Sequence, residues 1–113
     1  MELSEEVADT VTIIAVVGRL DGAATREFDA RLAALIDGGR TSLLIDMSRL
    51  NYIGSLGLRA LCVASGRAAE KRGRLALSSL TAPVHHVMEL GGFGSMFERY
   101  ASREEALAAM LGG

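Results

Sequence analysis

The chain has no tryptophan, one proline, one cysteine and only five aromatic residues, three Phe and two Tyr. A single cysteine, Cys62, excludes an internal disulfide framework, and nothing around it has metal-ligand spacing. With aromatics at 4% and hydrophobic residues at 50%, the core has to be built from Leu, Ile, Val, Ala and Met. Long apolar runs are missing too. The strongest, VTIIAVVG at 11–18, falls well short of the roughly 18 residues that suggest a membrane span. The opening MELSEEVADT is acidic and lacks the basic-then-apolar order of a signal peptide. The formal net charge is only -2, which gives no bulk reason for direct nucleic-acid binding. These absences predict a cytoplasmic, soluble protein without membrane insertion. At 113 residues it has room for one core, hence one domain spanning 1–113.

The charge that is present is unevenly spread. Residues 1–53 carry nine acids and five bases, and residues 54–113 carry five acids and seven bases. Arg59, Arg67, Lys71, Arg72 and Arg74 follow one another with only Glu70 opposing them. Such a run is either a solvated helix face or a docking patch.

Hydrophobic patterning divides the chain into alternating elements. ELSEEVA (2–8) reads as a weak edge strand, and VTIIAVVGRL (11–20) as a central strand, apolar on both faces. Residues 22–37 form a helix with Phe28, Leu32, Leu35 and Ile36 on one stripe, Asp21 as its cap and Gly38-Gly39 as its stop. SLLIDMS (42–48) is a short buried strand. From Ser55 to about Arg72 the spacing is helical again, with Leu58, Leu61, Cys62, Ser65 and Ala69 on one face. RLALSSL (74–80) is a strand. Thr81, Ala82 and Pro83 open a short helix with Val84, Val87 and Met88 inward. SMFERY (95–100) gives a last short strand. Ser102 and Glu105 form a capping box for a terminal helix that buries Leu107, Met110 and Leu111. The fold class is therefore α/β: a mostly parallel central sheet with an N-terminal antiparallel hairpin, covered by about four helices.

In such sheets the carboxyl ends of the strands are the functional edge, and NYIGSLGL (51–58) lies there. Ser55 has three readings. As a nucleophile it fails: two residues before it stands Ile53 rather than the glycine of G-x-S-x-G. His85 and His86 are adjacent on a short helix with no evident acid partner, which fits an exposed face better than a catalytic pair. GSLG also lacks the lysine and spacing of a P-loop. As a helix cap, Ser55 is sound, with Gly54 and Gly57 easing a tight turn. As a switch, it builds on the cap: phosphorylation adds about -1.5 to -2 charge where a helix end tolerates an anion, and a docked partner would meet that new dianion.

LLIDMSRLNYIGSLGLRAL (43–61) resembles the central segment of the STAS domain family, the anti-sigma factor antagonists of the SpoIIAA type. Asp46 matches the acid ending the strand, Ser55 the phosphorylatable serine, and Gly57-Leu58 the Gly-Leu that follows it. VVGRLDGAATREF resembles the family's Gly-x-Leu-Asp, making Asp21 a second acid near the switch. APVHHVMELGGFGSMF resembles the later helix-to-strand stretch, so that the resemblance runs over roughly 11–111. The chain departs from the pattern where the family's acid before the serine is Gly54 and the next residue is the bulky Leu56. The unmodified loop is thus less negative and more apolar, and Leu56 either projects as a docking contact or folds inward.

The resemblance implies a binder and substrate rather than an enzyme, with no cofactor, no metal and no catalytic residue of its own. Its unphosphorylated form would bind an anti-sigma factor that is also a serine kinase of ATPase fold, releasing a sigma factor. Phosphorylation of Ser55 would weaken the complex, and a serine phosphatase would reset it. The implied docking surface is Asp21, the loop residues Asn51, Tyr52, Gly54, Leu56 and Gly57, and Arg59 and Val63 on the helix beyond. The alternative is a non-switching STAS adaptor of an ABC transporter, of the MlaB type, or of a sensory assembly. An enzyme or nucleotide-binding protein is a third class, disfavoured by the missing P-loop lysine, metal cluster and triad.

Overall fold

The computed structural model describes residues 1–112, which form five strands, four α-helices and a single 3-10 turn. The chain runs β1 (Glu2–Ala8), β2 (Val11–Leu20), α1 (Gly22–Asp37), β3 (Ser42–Ile53), α2 (Ser55–Glu70), β4 (Arg74–Ser78), α3 (Ala82–Leu90), the 3-10 turn (Gly94–Met96), β5 (Glu98–Tyr100) and α4 (Arg103–Gly112). The strands lie in sequence order, β1 antiparallel to β2 and each later neighbour parallel. Parallel neighbours need crossovers, and right-handed crossovers laid in one direction put their helices on one face. That is the arrangement found. Phe28, Leu32 and Ile36 of α1, Leu58 and Leu61 of α2, and Val84 and Met88 of α3 share a core with Ile14, Leu43, Ile45 and Leu77. On the opposite face α4 covers Val11, Ile13, Leu44 and Ala76 with Ala106 and Met110. No helix of the described residues is long and apolar enough to cross a membrane.

Several element boundaries differ from the sequence reading. The expected short strand 42–48 continues to Ile53. Along β2, Ala15 faces Asp46 but Val17 faces Arg49, and Gly18 faces Leu50 but Arg19 faces Tyr52. Each step leaves one extra residue on β3, a bulge that bends the strand. The buried positions there become Met47, Leu50 and Ile53, three apart, which hides the strand's two-residue period. β4 ends at Ser78 rather than 80, and β5 begins only at Glu98.

The buried face of α2 is Gly57, Leu58, Ala60, Leu61, Ala64 and Ala68. Ser65 and Cys62 are only half-buried, and Ala69 is exposed. The face is turned from the expected stripe toward Ala60, Ala64 and Ala68, which join the core shared with α1 and the sheet. Leu35, Val87 and Leu107 are likewise half-buried, and Leu111 is exposed, since Ala106 and Met110 complete the cover beneath α4. Half of the capping box forms, the Glu105 N–H donating to Ser102 Oγ at 3.1 Å.

Candidate functional site

The site is assembled where β2 and β3 end together. Leu20 faces Ile53, and the Gly54 N–H donates to the Leu20 carbonyl at 3.0 Å, tying the start of α2 to the start of α1. Gly54 is the N-cap of α2, and Ser55 is its first helical residue. The serine therefore does not hold the cap position expected of it. Its side chain is exposed, at the helix end where partial positive charge gathers.

Gly57 is buried directly beneath. A Cβ at this position would lie 2.8 Å from Ile53 Cγ1 and 3.2 Å from Leu20 Cδ2, so close packing requires the glycine. Gly54 is different. A Cβ there would meet nothing nearer than Tyr52 Cε2 at 3.7 Å, so the position has room for a side chain.

Asp21 is the N-cap of α1 by backbone position, but its carboxylate does not cap. It accepts from Arg19 Nη2 at 3.2 Å instead. The same guanidinium lies 4.3 Å from the centroid of the Tyr52 ring, a cation–π contact joining β2 to the end of β3, where Asn51 and Tyr52 lie in the strand rather than in the expected loop. Asn51 and Tyr52 are exposed beside it. Leu56 points outward, 61% exposed, and Val63 lies 47% exposed two turns on. The structure thus chooses the outward reading of Leu56.

Between α1 and α2 runs a groove of about 370 Å³ lined by Thr25, Arg26, Asp29, Leu56, Arg59, Ala60 and Val63. The α1 wall was not anticipated from sequence. Its only signal is topological, since consecutive right-handed crossover helices lie side by side.

Asp46 is not part of this site. It sits within β3 on the face covered by α4, where Arg103 Nη2 donates to its Oδ2 at 2.7 Å and the Ser48 N–H to its Oδ1 at 2.9 Å. Burial pushes the Asp46 carboxyl up, but the Ser48 N–H and the Arg103 guanidinium outweigh it and hold the pKa below its ordinary value. The acid expected near the switch is a tie for α4.

The remaining chemical groups are quiet. His85 and His86 are exposed on α3. Burial pushes the Cys62 thiol up, away from reactivity. No group of three or more metal-ligating side chains occurs among the described residues. The basic run after Ser55 is partly engaged: Arg67 pairs with Asp37, Arg74 with Glu98, and Lys71 Nζ donates to the Ile36 carbonyl at 3.2 Å.

The family model described as Mlab, STAS domain matches residues 3–98. BtrV of Bordetella bronchiseptica, named as an anti-sigma factor antagonist, is 35% identical over 109 residues, covering 96% of this chain and 94% of that one. This chain belongs to the STAS domain family of anti-sigma factor antagonists. Another STAS relative is the anti-sigma-F factor antagonist RsfB of Mycobacterium tuberculosis, 26% identical over 105 residues, covering 91% of this chain and 84% of that one. The STAS fold is also that of the Bacillus cell fate determinant SpoIIAA. Its unphosphorylated form matches with a TM-score of 0.86 at 23% identity, over 99% of this chain and 98% of that one. Its phosphorylated form matches with a TM-score of 0.75 at 23% identity, over 96% and 98%.

Proposed function

We propose that this STAS protein is a phosphorylation-controlled partner switch, a binder and substrate rather than an enzyme. Unmodified, it binds an anti-sigma factor that is also a serine kinase of ATPase fold, and so frees a sigma factor. The kinase moves the γ-phosphoryl group of ATP to Ser55 Oγ, the hydroxyl loses its proton, and ADP departs. A serine phosphatase restores the hydroxyl by hydrolysis, releasing inorganic phosphate.

The observation that carries this reading is the placement of Ser55: exposed, first in α2, with no acid in the helix's first turn and the exposed Leu56 beside it. Modification there costs the fold little, because the helix end favours an anion. It costs a docked partner much, because a hydrated dianion arrives beside the exposed apolar side chain of Leu56. The names of BtrV and RsfB support an anti-sigma factor as the partner. The two forms of SpoIIAA support phosphorylation as the control. We place the docking surface on Asp21, Asn51, Tyr52, Gly54, Leu56, Gly57, Arg59 and Val63. Gly57 takes part as the packing that sets the first turn of α2 against Ile53 and Leu20, since it is itself buried.

Affinity capture of the tagged protein from its own cells tests this, with mass spectrometry of the partners and of Ser55. The expected result is an ATPase-fold kinase together with a fraction phosphorylated at Ser55. Recovery of transporter subunits with Ser55 unmodified would overturn it in favour of a fixed adaptor.

A further inference from the structure

Arg59 stands one helical turn beyond Ser55, on the same side of α2, and is exposed. Among the described residues neither it nor Arg26, across the groove on α1, belongs to an ion pair. Thr25 also lines the groove, its own hydroxyl buried without a hydrogen-bond partner among the described residues. The groove wall therefore carries two guanidiniums outside any ion pair, opposed by the carboxylate of Asp29, and Leu56, which follows the serine, lines the same groove. The other nearby charges, Arg19 and Asp21, already satisfy each other. An acid placed four residues before a base on a helix is the favourable order for a side-chain pair, and a phosphate offers three acceptor oxygens to a planar guanidinium.

We propose that Arg59 captures the phosphate of Ser55 within the same chain, drawing it along the first turn of α2 across the mouth of the α1–α2 groove. This rests on the modification of Ser55 proposed above. Phosphorylation then changes the docking face twice. It adds a dianion at position 55, and it withdraws the arginine that a partner's carboxylate would meet.

The test is made on protein carrying phosphoserine installed at position 55 during translation, so it needs neither kinase nor partner. The second pKa of the phosphate, about 6 when unperturbed, is followed by 31P NMR in the wild type, Arg59→Gln, Arg59→Lys and Arg26→Gln. Capture favours the dianion, so the wild-type value should lie below that of Arg59→Gln by roughly 0.2–0.4 unit. Arg59→Lys should fall between them, and the gap should close in about 1 M salt. Equal values in the wild type and Arg59→Gln would overturn the proposal, as would a change produced by Arg26→Gln alone. A protein whose Ser55 is never modified in cells would sink the switch while leaving this result standing, so the two failures are distinguishable.

Discussion

Asp46 Oδ2 accepts from Arg103 Nη2 at 2.7 Å, joining the middle of β3 to the first residue of α4. Arg103 also reaches Glu6 of β1 at 3.1 Å, so one guanidinium fastens the terminal helix to two strands. The Asp46 side chain is only 10% exposed, and its other oxygen holds the Ser48 N–H at the β3 bulge. Removing the carboxylate would leave that N–H and the guanidinium short of an acceptor. Asp46→Ala should therefore cost about 2 kcal/mol of unfolding free energy, read as a lower midpoint in urea. An unchanged midpoint would show that the tie from Arg103 to Asp46 adds nothing to the hold on α4.

Acid should weaken the fold through the same carboxylate. The Asp46 pKa is lowered, as is that of Glu98, chiefly by its hydrogen bond from Arg74. A depressed carboxyl binds its proton more readily in the unfolded chain, so stability is full above the ordinary values of 3.8 for Asp46 and 4.5 for Glu98. It is lost as the pH falls below them, through the lowered folded values. Urea midpoints taken from pH 7 down to pH 2 should stay level and then drop below about pH 4.5. Asp46→Asn should show a shallower drop, and an identical profile would refute the assignment.

The two glycines flanking Ser55 should respond oppositely to substitution. Gly57→Ala drives a Cβ to within 2.8 Å of Ile53 Cγ1, at a point where neither Ile53 nor Leu20 has free space to yield. Overpacking of this kind costs about 1–3 kcal/mol. Gly54 has an extended backbone (φ -89°, ψ 176°), open space around its Cα and the N-cap position. Gly54→Asp should hold stability or raise it by a few tenths of a kcal/mol, because Asp is the better cap. Thermal melts of the two variants check both signs at once.

The order of elements, the parallel sheet with its antiparallel hairpin, and the place of NYIGSLGL at a strand-to-helix junction were legible in sequence because apolar spacing and strand–helix alternation both survive in the fold. Ser55 and Val63 stand exposed as their outward placement required, and Leu56, which the sequence left open, also points outward. What escaped was whatever depends on a neighbour. The end of β3 was missed because two bulges replace a period of two with Met47, Leu50 and Ile53 at a spacing of three. The α2 face differs from the sequence stripe because alanines 60, 64 and 68, weak apolar signals in sequence, become core once the neighbouring elements pack over them. Asp21 reads as a cap until Arg19, two residues back, takes its carboxylate. Asp46 reads as a site acid until Arg103, 57 residues on, claims it.

Ser55 itself gives the sharpest contrast between fold and function. Ser55→Asp places a carboxylate in the first turn of α2, where the helix end favours it by about 0.3–1 kcal/mol, and the exposed side chain displaces nothing. The variant should melt at or slightly above the wild-type temperature. Its affinity for the captured anti-sigma factor should nevertheless fall tenfold or more, about 1.4 kcal/mol, since a new negative charge enters the contact around Leu56. Ser55→Ala should bind as the wild type does and accept no phosphate from the kinase. Calorimetric titration against the kinase, set beside the melts, separates the possibilities. A folded Ser55→Asp protein with undiminished affinity would remove the start of α2 from the docking surface, and a melted one would make Ser55 a structural residue.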